Sequence, residues 1–123
     1  MDNVFEDNEQ LLRAVLPSAM FWKDNRLSSA AFKDPKGLSV DRVYKRKMES
    51  AVKKMTQSFI GSIISVKVSD CRDVQACVKY LPSKNKYHSE IHRDESIPLL
   101  TSFQAKHLAR VAVIEFSYAI STT

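Results

Sequence analysis

The hydrophobic period of this chain changes at Gly61. Before it, Tyr44, Met48, Ala51, Val52, Met55 and Phe59 recur at three and four residues with lysines and arginines opposite. That spacing predicts an amphipathic helix over 42–59, with Asp41 as its cap and Gly61 at its end. After the glycine, Ile64, Val66 and Val68 face one way while Ser65, Lys67 and Ser69 face the other. Alternation of that kind predicts a half-buried strand over 62–69. A one-sided helix and a one-sided strand each need a partner layer, so the pattern points to sheet covered by helix.

The flanking segments extend this plan. Asp7 or Asn8 can cap a helix over 8–16, where Leu11, Leu12, Val15 and Leu16 fall on one side and Pro17 stops the run. Met20-Phe21-Trp22, the turn residues Asp24-Asn25 and the following Arg26–Phe32 stretch read as a hairpin with Trp22 in the core, and Asp34-Pro35-Lys36-Gly37 matches a type I turn before Leu38–Val40. Asp70–Asp73 reads as a turn, Cys77–Leu81 as a strand, 82–86 as a polar loop and Tyr87–His92 as extended. Thr101 and Ser102 can cap a last helix carrying Ala105, Leu108, Ala109, Ala112, Phe116 and Ile120 on one face. A strand over 113–120 competes with its second half, because Ile114, Phe116, Tyr118 and Ile120 also alternate. The lack of Gly or Pro after Leu99 favours one long helix. The expected fold class is α+β: a small antiparallel sheet of hairpins packed with three helices, in a single domain over 1–123.

Composition bounds the function. With 123 residues, 44% of them hydrophobic, the chain can bury a core without disulfide or metal staples. The first residues are acidic where a secretory signal is basic, and no apolar run approaches the roughly 18 residues of a membrane span. A soluble cytoplasmic protein with no membrane contact is expected, with Cys71 and Cys77 kept as thiols in small apolar roles. The net charge of +5 permits a polyanionic partner, and Arg42, Lys45, Arg46, Lys47, Lys53 and Lys54 concentrate it on one short segment. The one aromatic residue among those charges, Tyr44, falls on the apolar side of the predicted helix, so nothing aromatic interleaves them on its basic face and base stacking is not foreseen. The P-loop, G-x-G-x-x-G, G-x-S-x-G, H-E-x-x-H and paired C-x-x-C signatures are all missing, which excludes the scaffolds they mark.

Two constellations carry chemistry. On a strand, His88, Glu90 and His92 project to one side, and two imidazoles flanking a carboxylate suit acid–base catalysis or a divalent metal. The bland alternative is a polar strand edge with Tyr87, Ser89 and Ile91 inward. Cys71, Cys77, His88 and His92 are zinc-type ligands, but five residues separate the cysteines and ten precede the first histidine, which is not finger spacing. No metal site or cofactor is therefore assigned. In the second constellation, Ser39, Arg42, Lys45 and Arg46 sit where a strand would hand over to the basic helix, a setting suited to an anion, although Asp41 as cap would compete for the free amides.

The stretches Arg26–Phe32 (RLSSAAF), Gly37–Arg42 (GLSVDR) and Tyr87–His92 (YHSEIH) resemble a set of small bacterial single-domain proteins. The resemblance implies a bacterial cytosolic origin and a single site joining the two constellations. Two functions follow from these features. One is a small basic binding or accessory module of a bacterial multi-gene system, meeting a protein partner or a second copy through its apolar C-terminal helix and a nucleic acid or other polyanion through its basic helix. The other is a small enzyme on a nucleotide-like or phosphorylated substrate, with His88, Glu90 and His92 as its acid–base or metal cluster and Arg42 on the anion.

Overall fold

The structure, a computed structural model, describes residues 3–83 and 85–118. Its strands are β1 (Gln10–Val15), β2 (Trp22–Lys23), β3 (Arg26–Leu27), β4 (Leu38–Arg42), β5 (Ser62–Lys67), β6 (Cys77–Tyr80), β7 (His88–His92) and β8 (Val113–Phe116). Its helices are α1 (Met48–Ser58), α2 (Val68–Asp73) and α3 (Ser102–Val111), with a 3-10 turn at Ser29–Phe32. Six strands form one antiparallel sheet in the order β6-β7-β4-β1-β5-β8, and β2 pairs with β3 apart from it. The fold is α+β, as the sequence predicts. No helix among the described residues is long and apolar enough to cross a membrane.

The sheet has two unequal faces. On one, Leu11, Val15, Leu38, Val40, Ile64, Val66 and Ile91 pack against Phe32 of the 3-10 turn, Cys71 of α2 and Ala105 and Leu108 of α3. On the other, Leu12 and Ile63 meet Val43, Ala51 and Met55, so α1 covers only the β1–β5 half. The β4–β7–β6 half of that face is where the polar residues of the sequence motifs emerge.

Several local expectations hold for identifiable reasons. Asp24 and Asn25 both take positive φ (51° and 63°), which gives the β2–β3 hairpin its tight turn. Gly37 N donates to Asp34 O at 3.1 Å and Lys36 N to Asp34 Oδ1 at 2.9 Å, closing the Asp-Pro-Lys-Gly turn. Thr101 Oγ1 accepts from Gln104 N at 3.1 Å while Gln104 Oε1 accepts from Thr101 N at 2.9 Å, a reciprocal cap that starts α3.

Four expectations are corrected. Residues 10–15 form the central strand β1 instead of a helix, because Leu11 and Val15 are buried on one face and Leu12 on the other. A strand buried on both sides loses its alternation and imitates a helical stripe. Residues 42–47 do not belong to α1: Asp41 and Arg42 end β4, the chain turns through Tyr44 at φ 52°, and Lys47 precedes the first helical residue. Residues 68–73 form α2, which replaces the turn expected at 70–73 and the last two residues of the strand expected over 62–69, with Asp70 Oδ2 accepting from Lys67 N at 2.8 Å. The last helix stops at Val111, and Val113–Phe116 become an edge strand on β5. Ser65 on the polar side of β5 and Ser62 on its other side are both buried: Ser65 Oγ donates to Glu115 Oε2 at 2.7 Å and Ser62 Oγ accepts from Tyr118 N at 2.9 Å. Ile120, placed on the helical face by its spacing, and Lys84 of the polar loop lie outside the described residues.

Candidate functional site

Register assembles the polar half-face. In the β4–β7 pair Ser39 lies opposite Glu90 and Asp41 opposite His88, while in the β6–β7 pair Lys79 lies opposite Glu90 and Cys77 opposite His92. Directly opposed residues share a side of the sheet, so His88, Glu90 and His92 project together with Ser39 and Asp41. Glu90 Oε1 and His92 Nε2 are 2.8 Å apart, with side chains only 20% and 12% exposed. Gly37 closes over this pair: a Cβ there would stand 2.5 Å from His92 Nε2 and 2.6 Å from Glu90 Oε1. His88 Nδ1 lies 2.8 Å from Leu81 O, and because a carbonyl only accepts, the neutral ring carries its proton on Nδ1. Its Nε2 is left facing Ser39 Oγ at 3.4 Å.

Arg42 does not join this group. It pairs with Leu11, one position along β4 from Asp41, and therefore points into the opposite layer. There it is fully buried: Nε donates to Glu9 Oε2 at 2.8 Å, Nη2 to Glu9 Oε1 at 2.7 Å and to Val4 O at 3.2 Å. The rings of Phe5, Tyr44 and Tyr80 stand 4.1, 4.5 and 5.2 Å from its guanidinium carbon. The expected anion set of Ser39, Arg42, Lys45 and Arg46 is thus divided, with Ser39 on the polar half-face, Arg42 in the core, and Lys45 exposed with its Nζ 5.3 Å from the Tyr44 ring. The zinc-type quartet does not assemble either, since Cys71 sits in the core under α2 while Cys77 opens onto the polar half-face. Burial pushes the Cys71 thiol up to about 12. Burial, and next the hydrogen bond to Glu95, also raise Cys77, whose Sγ donates to Glu95 Oε1 at 3.2 Å.

Arg46 is the cation the fold does use. Its Nε donates to Val43 O at 3.2 Å, and its guanidinium carbon lies 3.5 Å from the centre of the Tyr87 ring. Burial pulls its pKa below the usual value, against Tyr87 and Asp41, but an arginine stays cationic throughout the physiological range. Between α1 and the segment before β7 lies a cleft of about 490 Å³. Arg46, Lys54 and Lys86 line it, with Tyr87, Met55 and Phe59 as apolar surface and Asp41 and Asn85 as polar wall. Phe59 is 51% exposed, and Asn85 Nδ2 donates to Asp41 Oδ2 at 2.8 Å. Aromatic rings do therefore interleave the basic segment. They reach it from Tyr87 across the fold and from Phe59 at the end of α1, which is why adjacency in sequence failed to show them.

Comparison with protein-family models, curated proteins and solved structures finds no match.

Proposed function

We propose that this protein is a small binding module that holds single-stranded nucleic acid along the cleft between α1 and residues 85–87. The observation that carries the reading is the convergence of Arg46, Lys54 and Lys86 from three separate segments on one cleft containing Tyr87 and Phe59. Cations that converge in space bind a phosphate backbone, and exposed rings beside them accept stacked bases. Asp41 lies in the same cleft, but its carboxylate is engaged by Asn85. A bacterial cytosolic accessory role fits this module, and the protein-partner half of the reading rests on β8, whose Val113, Ile114 and Phe116 are exposed on a sheet edge, instead of on a long C-terminal helix.

Fluorescence anisotropy with a labelled single-stranded oligonucleotide tests it. Binding is expected at about 50 mM salt and should weaken with a log–log slope of about 0.7 per phosphate contacted. Lys54→Glu with Lys86→Glu should weaken binding on the order of tenfold or more and flatten that slope, because both lysines act on the backbone. No binding of DNA or RNA at low salt, or identical binding by the doubly reversed variant, would remove the cleft from consideration.

A second reading, a phosphodiester-cleaving enzyme, is favoured by the His88 geometry, in which a backbone carbonyl fixes the tautomer and leaves Nε2 toward Ser39. The Glu90–His92 contact supplies an oriented acid–base pair on the same face. On this reading, turnover of an activated phosphodiester should fall by about 100-fold or more in His88→Gln, with unchanged melting. Turnover that is undetectable in the unmodified protein, or equal in the variant, counts against it.

A further inference from the structure

The α2–α3 contact holds a group of side chains that neither functional reading uses. On α2, Asp70 and Asp73 stand three residues apart and so share one side of the helix. α3 brings His107 against them. One donor atom from each of the three lies within 4.8 Å of the others, and these come from two different helices.

A second observation points to a ligand. His107 Nε2 is sealed from solvent and has no hydrogen-bond partner among the described residues. Its neighbour on the preceding turn shows the contrast: Gln104 Nε2 donates to both Val74 O at 3.1 Å and Arg93 O at 3.0 Å. Buried polar atoms are nearly always satisfied, so an imidazole that has a sealed nitrogen without a partner and a ring nitrogen within 4.8 Å of two carboxylates calls for an occupant. The carboxylates call for a cation as well. Arg72, between them in sequence, is committed to Asp7 Oδ1 at 2.6 Å and Phe5 O at 2.8 Å, and neither Asp70 nor Asp73 forms a salt bridge among the described residues. Asp70 spends Oδ2 on the Lys67 amide and keeps Oδ1 for a ligand.

From this geometry we infer that Asp70, Asp73 and His107 bind a divalent first-row transition ion of the zinc class, clamping α2 to α3. Two oxygens and an imidazole nitrogen select against Mg²⁺ and Ca²⁺, which prefer all-oxygen shells. Three protein donors leave one tetrahedral position to water, as in zinc sites that stay open to a further ligand.

Calorimetric titration of the chelator-stripped full chain with Zn²⁺, and with Co²⁺ as the spectroscopic probe, tests this. One equivalent should bind with micromolar affinity or better. At a hundredfold excess over Kd the melting temperature should rise by roughly 10 °C. Asp73 is exposed, so Asp73→Asn should leave the metal-free melting unchanged and weaken binding at least tenfold, while His107→Gln should abolish the Co²⁺ spectrum. His88 and His92 are the competing donors, and the double variant His88→Gln/His92→Gln should still bind one equivalent. Binding that survives Asp73→Asn and His107→Gln, or that vanishes in the double variant, or that needs millimolar metal, overturns the proposal.

Discussion

Glu9→Ala is expected to cost about 3–5 kcal/mol of folding stability, the range measured when one partner is removed from a buried ion pair. The reason is what it leaves behind. Arg42 is the largest fully buried side chain among the described residues, and Glu9, with only 10% of its side chain exposed, accepts from its Nε and its Nη2. Without Glu9 the guanidinium loses both charge-assisted bonds to that carboxylate, and its bond to Val4 O and its contacts with Phe5, Tyr44 and Tyr80 carry no formal negative charge to replace them. Glu9→Gln should cost less, since its amide oxygen still accepts one bond. Glu9→Leu/Arg42→Met should recover most of the loss, because a packed apolar pair removes the buried charge altogether. Urea unfolding of the three variants reads this directly as a change of midpoint at constant slope. A loss under about 1 kcal/mol for Glu9→Ala would show that water reaches Arg42 and that the pair is not the anchor described above.

That pair also explains why one candidate residue was misplaced by its sequence neighbours. Arg42 follows Asp41 and heads a run of lysines and arginines, so a linear reading counts it with the solvent-facing charges. On a strand, consecutive residues point to opposite sides, and the carboxylate that draws Arg42 inward is 33 residues away. His88, Glu90 and His92 were legible for the same physical reason, since residues two apart on a strand stay together whatever the strand pairs with. Their neighbours Ser39 and Lys79 depend on register, which no local pattern encodes. The two segments read as helix that fold as strand, 10–15 and 113–116, fail for related causes. β1 is buried on both faces and shows no alternation, while β8 follows a well-capped helix with no glycine or proline to mark the change. The basic segment behaved as its period said from Met48 onward. Tyr44 lies beside Arg42 and Lys45, and the aromatic partner of Arg46 comes from outside the segment, from Tyr87.

The two glycines separate strain from collision, and Gly61→Ala should be the costlier change. Both adopt positive φ, Gly61 at +124° and Gly37 at +106°, a region that any side chain enters at a cost of about 1–3 kcal/mol. The difference lies in what a new methyl meets. At Gly61 it would stand 2.2 Å from Val15 O and 2.8 Å from Val15 C, both backbone atoms of β1. β1 is bonded to β4 on one side and to β5 on the other, and Val15 itself is paired with Ser62, so the strand has nowhere to retreat. Displacing it adds an overpacking cost of about 1–3 kcal/mol, for a total of about 2–6 kcal/mol, which at this chain length lowers the melting temperature by roughly 8–24 °C. At Gly37 the methyl meets the ends of the Glu90 and His92 side chains, which can rotate away. Gly37→Ala should therefore lose only the φ strain, about 1–3 kcal/mol, while parting the Glu90–His92 contact. Calorimetric melting of the two variants side by side, with imidazole proton shifts recorded for Gly37→Ala, measures both halves of the argument. Equal destabilisation by the two changes would mean that left-handed backbone strain alone sets the cost and that β1 can yield.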